Sequence, residues 1–218
     1  MSLTDQLPGT FNSGNVLAAL LVVSNLLSIG IEDLAPLLPQ LKPLRGRMTP
    51  ISKGQPFSVL VDYAHTPSSF DAVIPPLKAN TQGRLICLFG SAGERDKQKR
   101  KLQGEIAAAH SDIVILTDED PRGEDPMAIL EEISQACEAS RACEASQTAG
   151  NLISEETLFL IPDRPKAIRK AFSLAHKGDL VLLLGKGHEN SIIYAHETVP
   201  YDEIREAEAA LGEMGYSD

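Results

Sequence analysis

Five short polar clusters, each placed directly after an apolar run, hold the residues of this 218-residue chain that could do chemistry. Phe57 to Val61 is followed by Asp62-Tyr-Ala-His65-Thr-Pro67. Leu85 to Phe89 is followed by Gly90-Ser-Ala-Gly-Glu-Arg95-Asp-Lys97. Ile113 to Leu116 leads into Thr117-Asp-Glu-Asp120-Pro-Arg122-Gly-Glu-Asp125-Pro126. Leu158 to Ile161 leads into Pro162-Asp163-Arg164, and Leu180 to Leu184 into Gly185-Lys186-Gly-His188-Glu189. Turns favour Gly, Asp and Pro for backbone reasons, so a single cluster means little. Five clusters that all follow strand patterns describe one edge of a parallel sheet, where open α/β folds bind ligands.

The residue types at that edge suit a charged small molecule. Arg95 brings a guanidinium to that edge. Lys186, between two glycines, reads as a candidate anion contact on backbone that permits close approach. Asp62 and Asp163 could equally cap helices, and His65 and His188 could be hydrogen-bonded structural histidines. Asp118-Glu-Asp120 could be taken for a metal site, but Arg122 would compete for those carboxylates, so no metal ligands are expected. No GxxxxGK[ST] occurs, and Gly185-Lys-Gly-His-Glu-Asn is not GxGxxG, so the chain has no phosphate loop of its own.

Elements that would position these clusters follow from periodicity. Strands are expected at Phe57–Val61, Leu85–Phe89, Ile113–Leu116, Leu158–Ile161, Leu180–Leu184 and Ile192–Ala195. They alternate with helices near Ser69–Lys78, Lys97–Ala109, Pro126–Ala145, Pro165–Ala175 and from Asp202. Such alternation predicts an α/β, Rossmann-like, mostly parallel sheet with right-handed crossovers, helices on both faces, and Ile192–Ala195 as an antiparallel edge strand. Ala136–Arg141 and Ala142–Gln147 nearly duplicate each other, which reads as helix lengthening, since six residues do not return to one helical face.

The opening differs. Residues 10 to 30 form a helix apolar on nearly all sides, which needs covering. A short helix, Ile31 to Pro36, and a proline-punctuated linker, Pro36 to Pro50, come next. Residues 1–44 are therefore expected to be helices from the end of a preceding domain, and 45–218 a separate ligand-binding domain.

A net charge of −10 argues against a general nucleic-acid or anionic-membrane surface, and 43% apolar residues suffice for a core. Three cysteines without CxxC or paired-histidine spacing suggest burial rather than zinc, as for Cys87 in mid-strand. No apolar run spans a bilayer, so no membrane insertion is expected and the cytoplasm is the default compartment.

Seven ordered motifs together resemble the C-terminal part of the Mur ligases. They are Gly9-Thr-Phe-Asn12-Ser-Gly-Asn15, Leu44-Arg-Gly-Arg47-Met, Val61-Asp-Tyr-Ala-His65-Thr-Pro, Gly90 to Arg100, Asp118-Glu-Asp-Pro-Arg122, Pro162-Asp-Arg and Gly185-Lys-Gly-His-Glu189. Within that family the chain is most similar to ligases that add the third, diamino residue of the peptidoglycan stem. The resemblance implies ATP and Mg2+ as cofactors, with UDP-MurNAc-dipeptide and a diamino acid as substrates. The missing N-terminal and central domains, which carry the P-loop and metal ligands, would be the partners, and the chain alone would be inactive.

The same resemblance implies that Asn15, Arg47, Asp62 and His65 contact ATP, while Arg95, Asp120, Arg122, Gly185 and Glu189 bind the amino acid. Arg95 would clamp the α-carboxylate, and Glu189 with Gly185 would meet the distal end. The pattern departs from the family's Asp-Asn-Pro-Arg at Asp120. Arg122 favours the distal carboxylate of meso-diaminopimelate, whereas Asp120 favours the bare distal ammonium of lysine or ornithine. A non-catalytic nucleotide- or amino-acid-binding module and a folylpolyglutamate-synthetase-like ligase remain as alternatives.

Overall fold

The computed structural model describes residues 11–147 and 157–217, the side chains of residues 11 and 141–147 excepted. Contacts divide the chain into two units, Met1–Leu44 and Arg45–Asp218. In the first, α1 (Phe11–Leu27) is followed by a one-turn helix α2 (Ile31–Leu34) and a 3-10 helix, Ala35–Gln40. Leu17, Val22, Leu26 and Leu27 of α1 are exposed. Among the described residues no single helix is long and apolar enough to cross a membrane.

The second unit contains β1 (Thr49–Ile51), β2 (Ser58–Asp62), α3 (Pro67–Asn80), β3 (Leu85–Phe89), α4 (Gln98–His110), β4 (Ile113–Leu116) and α5 (Pro126–Gln147). It continues with β5 (Leu158–Leu160), α6 (Arg164–Leu174), β6 (Leu180–Leu184), β7 (Ser191–Ile193), β8 (Thr198–Pro200) and α7 (Glu203–Glu213). Six strands form one sheet in the order β1-β2-β6-β3-β4-β5, parallel except for β1. The apolar runs of β3, β4 and β6 are buried along their whole length, as parallel strands covered on both faces must be.

Alternation along those strands divides the core. Cys87, Phe89, Val114, Leu116, Leu182 and Leu184 pack with α3, α4 and α5, whereas Ile86, Leu88, Ile115, Val181 and Leu183 pack with α6 and α7. Cys87 is thus a buried core thiol, its ionisation pushed up to about 12 by that burial. Because α6 crosses on the opposite face, β6 returns to lie between β2 and β3, and the carboxyl ends of β2, β6, β3 and β4 come together.

Two expectations are corrected. The antiparallel edge strand is β1, from within the segment read as a linker, and not the strand after β6. Both edges of β6 are already paired, so the chain beyond it leaves the sheet, and β7 pairs with β8 as a separate hairpin. Pro50 and the shortness of β1 hid it, although proline is tolerated at a sheet edge.

One buried ion pair ties the sheet's carboxyl edge to α7. The Arg164 guanidinium donates to both oxygens of Glu203 at 2.8 and 2.7 Å, to the Asp118 carbonyl at 3.0 Å and to the Leu184 carbonyl at 2.7 Å. Tyr201 donates its hydroxyl to Glu203 at 2.6 Å. Arg164→Met is expected to cost about 3–5 kcal/mol by leaving the Glu203 charge buried alone. In thermal unfolding that corresponds to a fall in Tm on the order of 10 °C. Adding Glu203→Leu should recover much of the loss, and a single variant melting with the wild type would refute the assignment.

Candidate functional site

Asp62 ends β2 as a buried carboxylate whose two oxygens accept the Met48 and Ala64 amides, each at 2.8 Å. Burial raises its pKa, against the pull of those hydrogen bonds and of Arg47. It therefore holds the backbone before β1 rather than presenting a free oxygen pair. His65 is tied by Nδ1 to the Tyr63 carbonyl at 2.8 Å, and its ring lies 4.6 Å from the Tyr63 ring.

Tyr63 gathers the residues around it. The Arg47 guanidinium sits 4.5 Å over its ring, His188 packs 4.7 Å away, and its hydroxyl donates to Glu189 Oε1 at 3.2 Å. Close backbone contact makes this arrangement possible. Gly46 and Gly187, both with positive φ, lie so near that a Cβ on Gly46 would stand 2.3 Å from the Gly187 carbonyl carbon, and one on Gly187 would stand 2.7 Å from Tyr63 Cβ.

Lys186, read from sequence as a candidate anion contact, is already engaged by acids of the protein. It is 1% exposed, with its ammonium 3.0 Å from Asp120 and 2.7 Å from Glu189. A ligand anion would have to displace one of these carboxylates, so Lys186 serves as an internal counter-charge. Asp120 Oδ1 also accepts the Ile193 amide at 2.9 Å. Asp120 thus shares the single Lys186 charge with Glu189, and its Oδ1 is engaged within the protein.

Arg47, expected to serve ATP, and Glu189 and Asp120, expected to serve the amino acid, thus share one polar chain, Arg47–Tyr63–Glu189–Lys186–Asp120. Asn15 lies in the first unit, where its amide donates to Asn12 at 3.2 Å.

Arg95 is exposed and makes no hydrogen bond or ion pair among the described residues. The loop that carries it is nevertheless pinned. The Gly93 amide donates to the Asp120 carbonyl at 2.8 Å, and the Glu94 amide to Glu124 Oε1 at 2.6 Å. A Cβ on Gly93 would fall 1.9 Å from the Pro121 carbonyl oxygen, so only glycine lets the two loops meet. Buried Arg100 completes the support through Glu124, Glu132 and the Ala92 carbonyl. Arg95 and Arg122 therefore stand on two loops bonded to each other.

The turn from Asp118 to Arg122 contains buried polar atoms with no partner: Asp118 Oδ1, Glu119 Oε2 and Arg122 Nε. A buried polar group left unsatisfied is costly, and each one has capacity for a further hydrogen bond. Glu119 is 6% exposed and lies beside Gly185, whose φ of +102° turns the chain out of β6. Burial raises its pKa, while Lys99, Arg164, His65 and Lys186 pull it down. Glu119 and Tyr63 were not singled out as site residues from sequence, although both sit inside the motifs quoted.

Orphan carboxylate oxygens and an orphan guanidinium Nε within one turn, next to a loop that carries an exposed arginine, offer groups of both signs to a charged small molecule. The acidic run does not fit Mg2+. Tyr194 occupies Asp118 Oδ2, Lys186 and Ile193 occupy Asp120 Oδ1, and among the described residues no three His, Cys, Asp or Glu side chains converge as a metal site.

A mostly parallel sheet covered on both faces, with charged loops gathered at its carboxyl edge, defines the class, a Rossmann-like α/β domain. Residues 46–187 match the family model of the Mur ligase, glutamate ligase domain, and the chain belongs to that family. It is 50% identical over 208 residues to UDP-N-acetylmuramyl-tripeptide synthetase of Treponema pallidum, covering 94% of this chain and 36% of that protein. It is 35% identical to UDP-N-acetylmuramoyl-L-alanyl-D-glutamate–2,6-diaminopimelate ligase of Caldanaerobacter subterraneus, covering 95% of this chain and 40% of the relative. A solved structure of a ligase bearing the latter name aligns with TM-score 0.68 and 31% identity, over 96% of this chain and 40% of the other. The chain thus spans less than half the length of these relatives.

Asp118 gives the site a pH signature. Burial pushes its carboxyl up to about 6 from 3.8, against the Tyr194 hydrogen bond and the Arg164 charge. The stabilisation gained from its bound proton is complete below pH 3.8 and lost as pH rises through about 6, a cost on the order of 3 kcal/mol at neutral pH. Asp118→Asn should therefore raise Tm relative to wild type most above pH 7, with the difference shrinking toward pH 4. A pH-independent difference in the melts would count against this assignment.

Proposed function

We propose that this chain is the amino-acid-binding portion of an ATP-dependent amide ligase of peptidoglycan synthesis. The complete enzyme adds a diamino acid to UDP-N-acetylmuramoyl-L-Ala-D-Glu. ATP transfers its γ-phosphoryl group to the D-glutamate carboxylate and leaves as ADP. The diamino acid's amine then attacks the acyl phosphate, forms the amide, loses a proton and releases phosphate. Such chemistry rests on positioning and charge stabilisation, which need the preceding domains to close over this one. Without them the chain is expected to be inactive, and its substrates place the complete enzyme in the cytoplasm. Mg2+ would enter with the nucleotide, since the acidic run here does not fit it.

The observation that carries this reading is Arg95, an unpaired guanidinium on a loop bonded to the turn with the orphan acids. In this reading Arg95 takes the α-carboxylate, Glu119 and Glu189 face the amines, and Arg47 and His65 lie on the nucleotide side. Glu119, whose buried Oε2 has no partner in the protein, is the acid that favours a bare distal ammonium, as in lysine or ornithine. The unpartnered Arg122 Nε favours meso-diaminopimelate as the second reading.

In the complete ligase, Arg95→Lys is expected to raise the amino acid's KM tenfold or more and leave that of ATP within about twofold, since lysine cannot make the bidentate contact. Equal effects on both KM values would remove Arg95 from its role. Steady-state assays with lysine, ornithine and meso-diaminopimelate should give the highest kcat/KM for one of the first two. A preference for meso-diaminopimelate would establish the second reading.

A further inference from the structure

Arg122 occupies the left-handed region at φ +53°, a conformation that long side chains rarely adopt and that its surroundings must therefore impose. The β7–β8 hairpin imposes it. The Arg122 amide donates to the Ile193 carbonyl at 2.9 Å, Arg122 forms a parallel bridge with Tyr194, and the Ile193 amide donates to Asp120 Oδ1 at 2.9 Å. The hairpin is a separate sheet of two three-residue strands, and such a pair is marginal unless docked. Besides the Ile193 amide on Asp120, the hydrogen bond that docks it on this turn through a hairpin side chain runs from the Tyr194 hydroxyl to Asp118 Oδ2, at 3.0 Å. On its other side, the Tyr194 amide closes the hairpin turn on the Glu197 carbonyl at 2.9 Å.

We infer that Tyr194 is a positioning residue for amino-acid specificity. Latched on Asp118, it docks the hairpin that sets the left-handed Arg122 and the Asp120 side chain, so it governs recognition of the diamino acid without touching it. This inference rests on the amide-ligase reading for its substrate, but the latch itself does not. Tyr194 gave no signal in sequence, because the strand containing it was expected to lie at the edge of the main sheet.

Tyr194→Phe removes one hydroxyl and keeps the ring. Amide hydrogen exchange on this 218-residue chain should show Arg122 and Ile193 exchanging at least tenfold faster in the variant, with β3 and β6 unchanged. In the complete ligase the same variant should raise the diamino acid's KM about tenfold and leave kcat and the KM of ATP within twofold. Unchanged exchange at Arg122 and Ile193 would overturn the latch. Faster exchange with an unaltered KM, or with kcat and both KM values shifted alike, would overturn the positioning role. A wild-type ligase that accepts no diamino acid would instead sink the functional reading, leaving the exchange result to decide the latch.

Discussion

The carboxyl edge of this sheet depends on the Arg164–Glu203 pair. One guanidinium spans the ends of β4 and β6 through the Asp118 and Leu184 carbonyls and fastens both to the start of α7. Both partners are fully buried, so each charge is tolerable only because the other is present. The residues next to those carbonyls, Glu119 and Gly185, begin the two loops of the site, so their relative placement is set by a residue that need not meet ligand. Pairs of this kind add less to stability than to geometry, since the desolvation of two charges offsets most of their attraction.

From that edge outward the site is built by neutralisation. Lys186 is held between Asp120 and Glu189, Arg100 between Glu124 and Glu132, and Asp62 between two backbone amides. Arg95 on the surface and the inner atoms of Asp118, Glu119 and Arg122 are left outside these pairs. The hub at Tyr63 and Lys186 also joins groups assigned separately to nucleotide and amino acid. A shift of Glu189 at one end would be felt at Asp120 at the other through shared hydrogen bonds.

Much of the frame was legible in the sequence. The runs Leu85–Phe89, Ile113–Leu116 and Leu180–Leu184 are strands with the bounds their composition implied, because burial on both faces demands unbroken apolar side chains. Asp163 caps α6 as a short polar side chain before a proline can, whereas Asp62, open to the same reading, caps no helix and Thr66 caps α3 instead. Strands β1 and β8 were not legible: three residues containing proline carry no period, and their pairing is decided by which sheet edges remain open.

The sequence by itself determined the alternation of strand and helix, the gathering of charged clusters at strand ends and the Mur ligase resemblance, since each depends on residue type and local spacing. Only the tertiary structure decided which charges are free. Lys186 looked available between two glycines and is consumed by two acids; Glu119 looked like one acid of three and is left without a partner; Tyr194 looked like an edge residue and latches the Arg122 turn. The pairing of Lys186 with Asp120 joins residues 66 positions apart, and no local pattern encodes that contact.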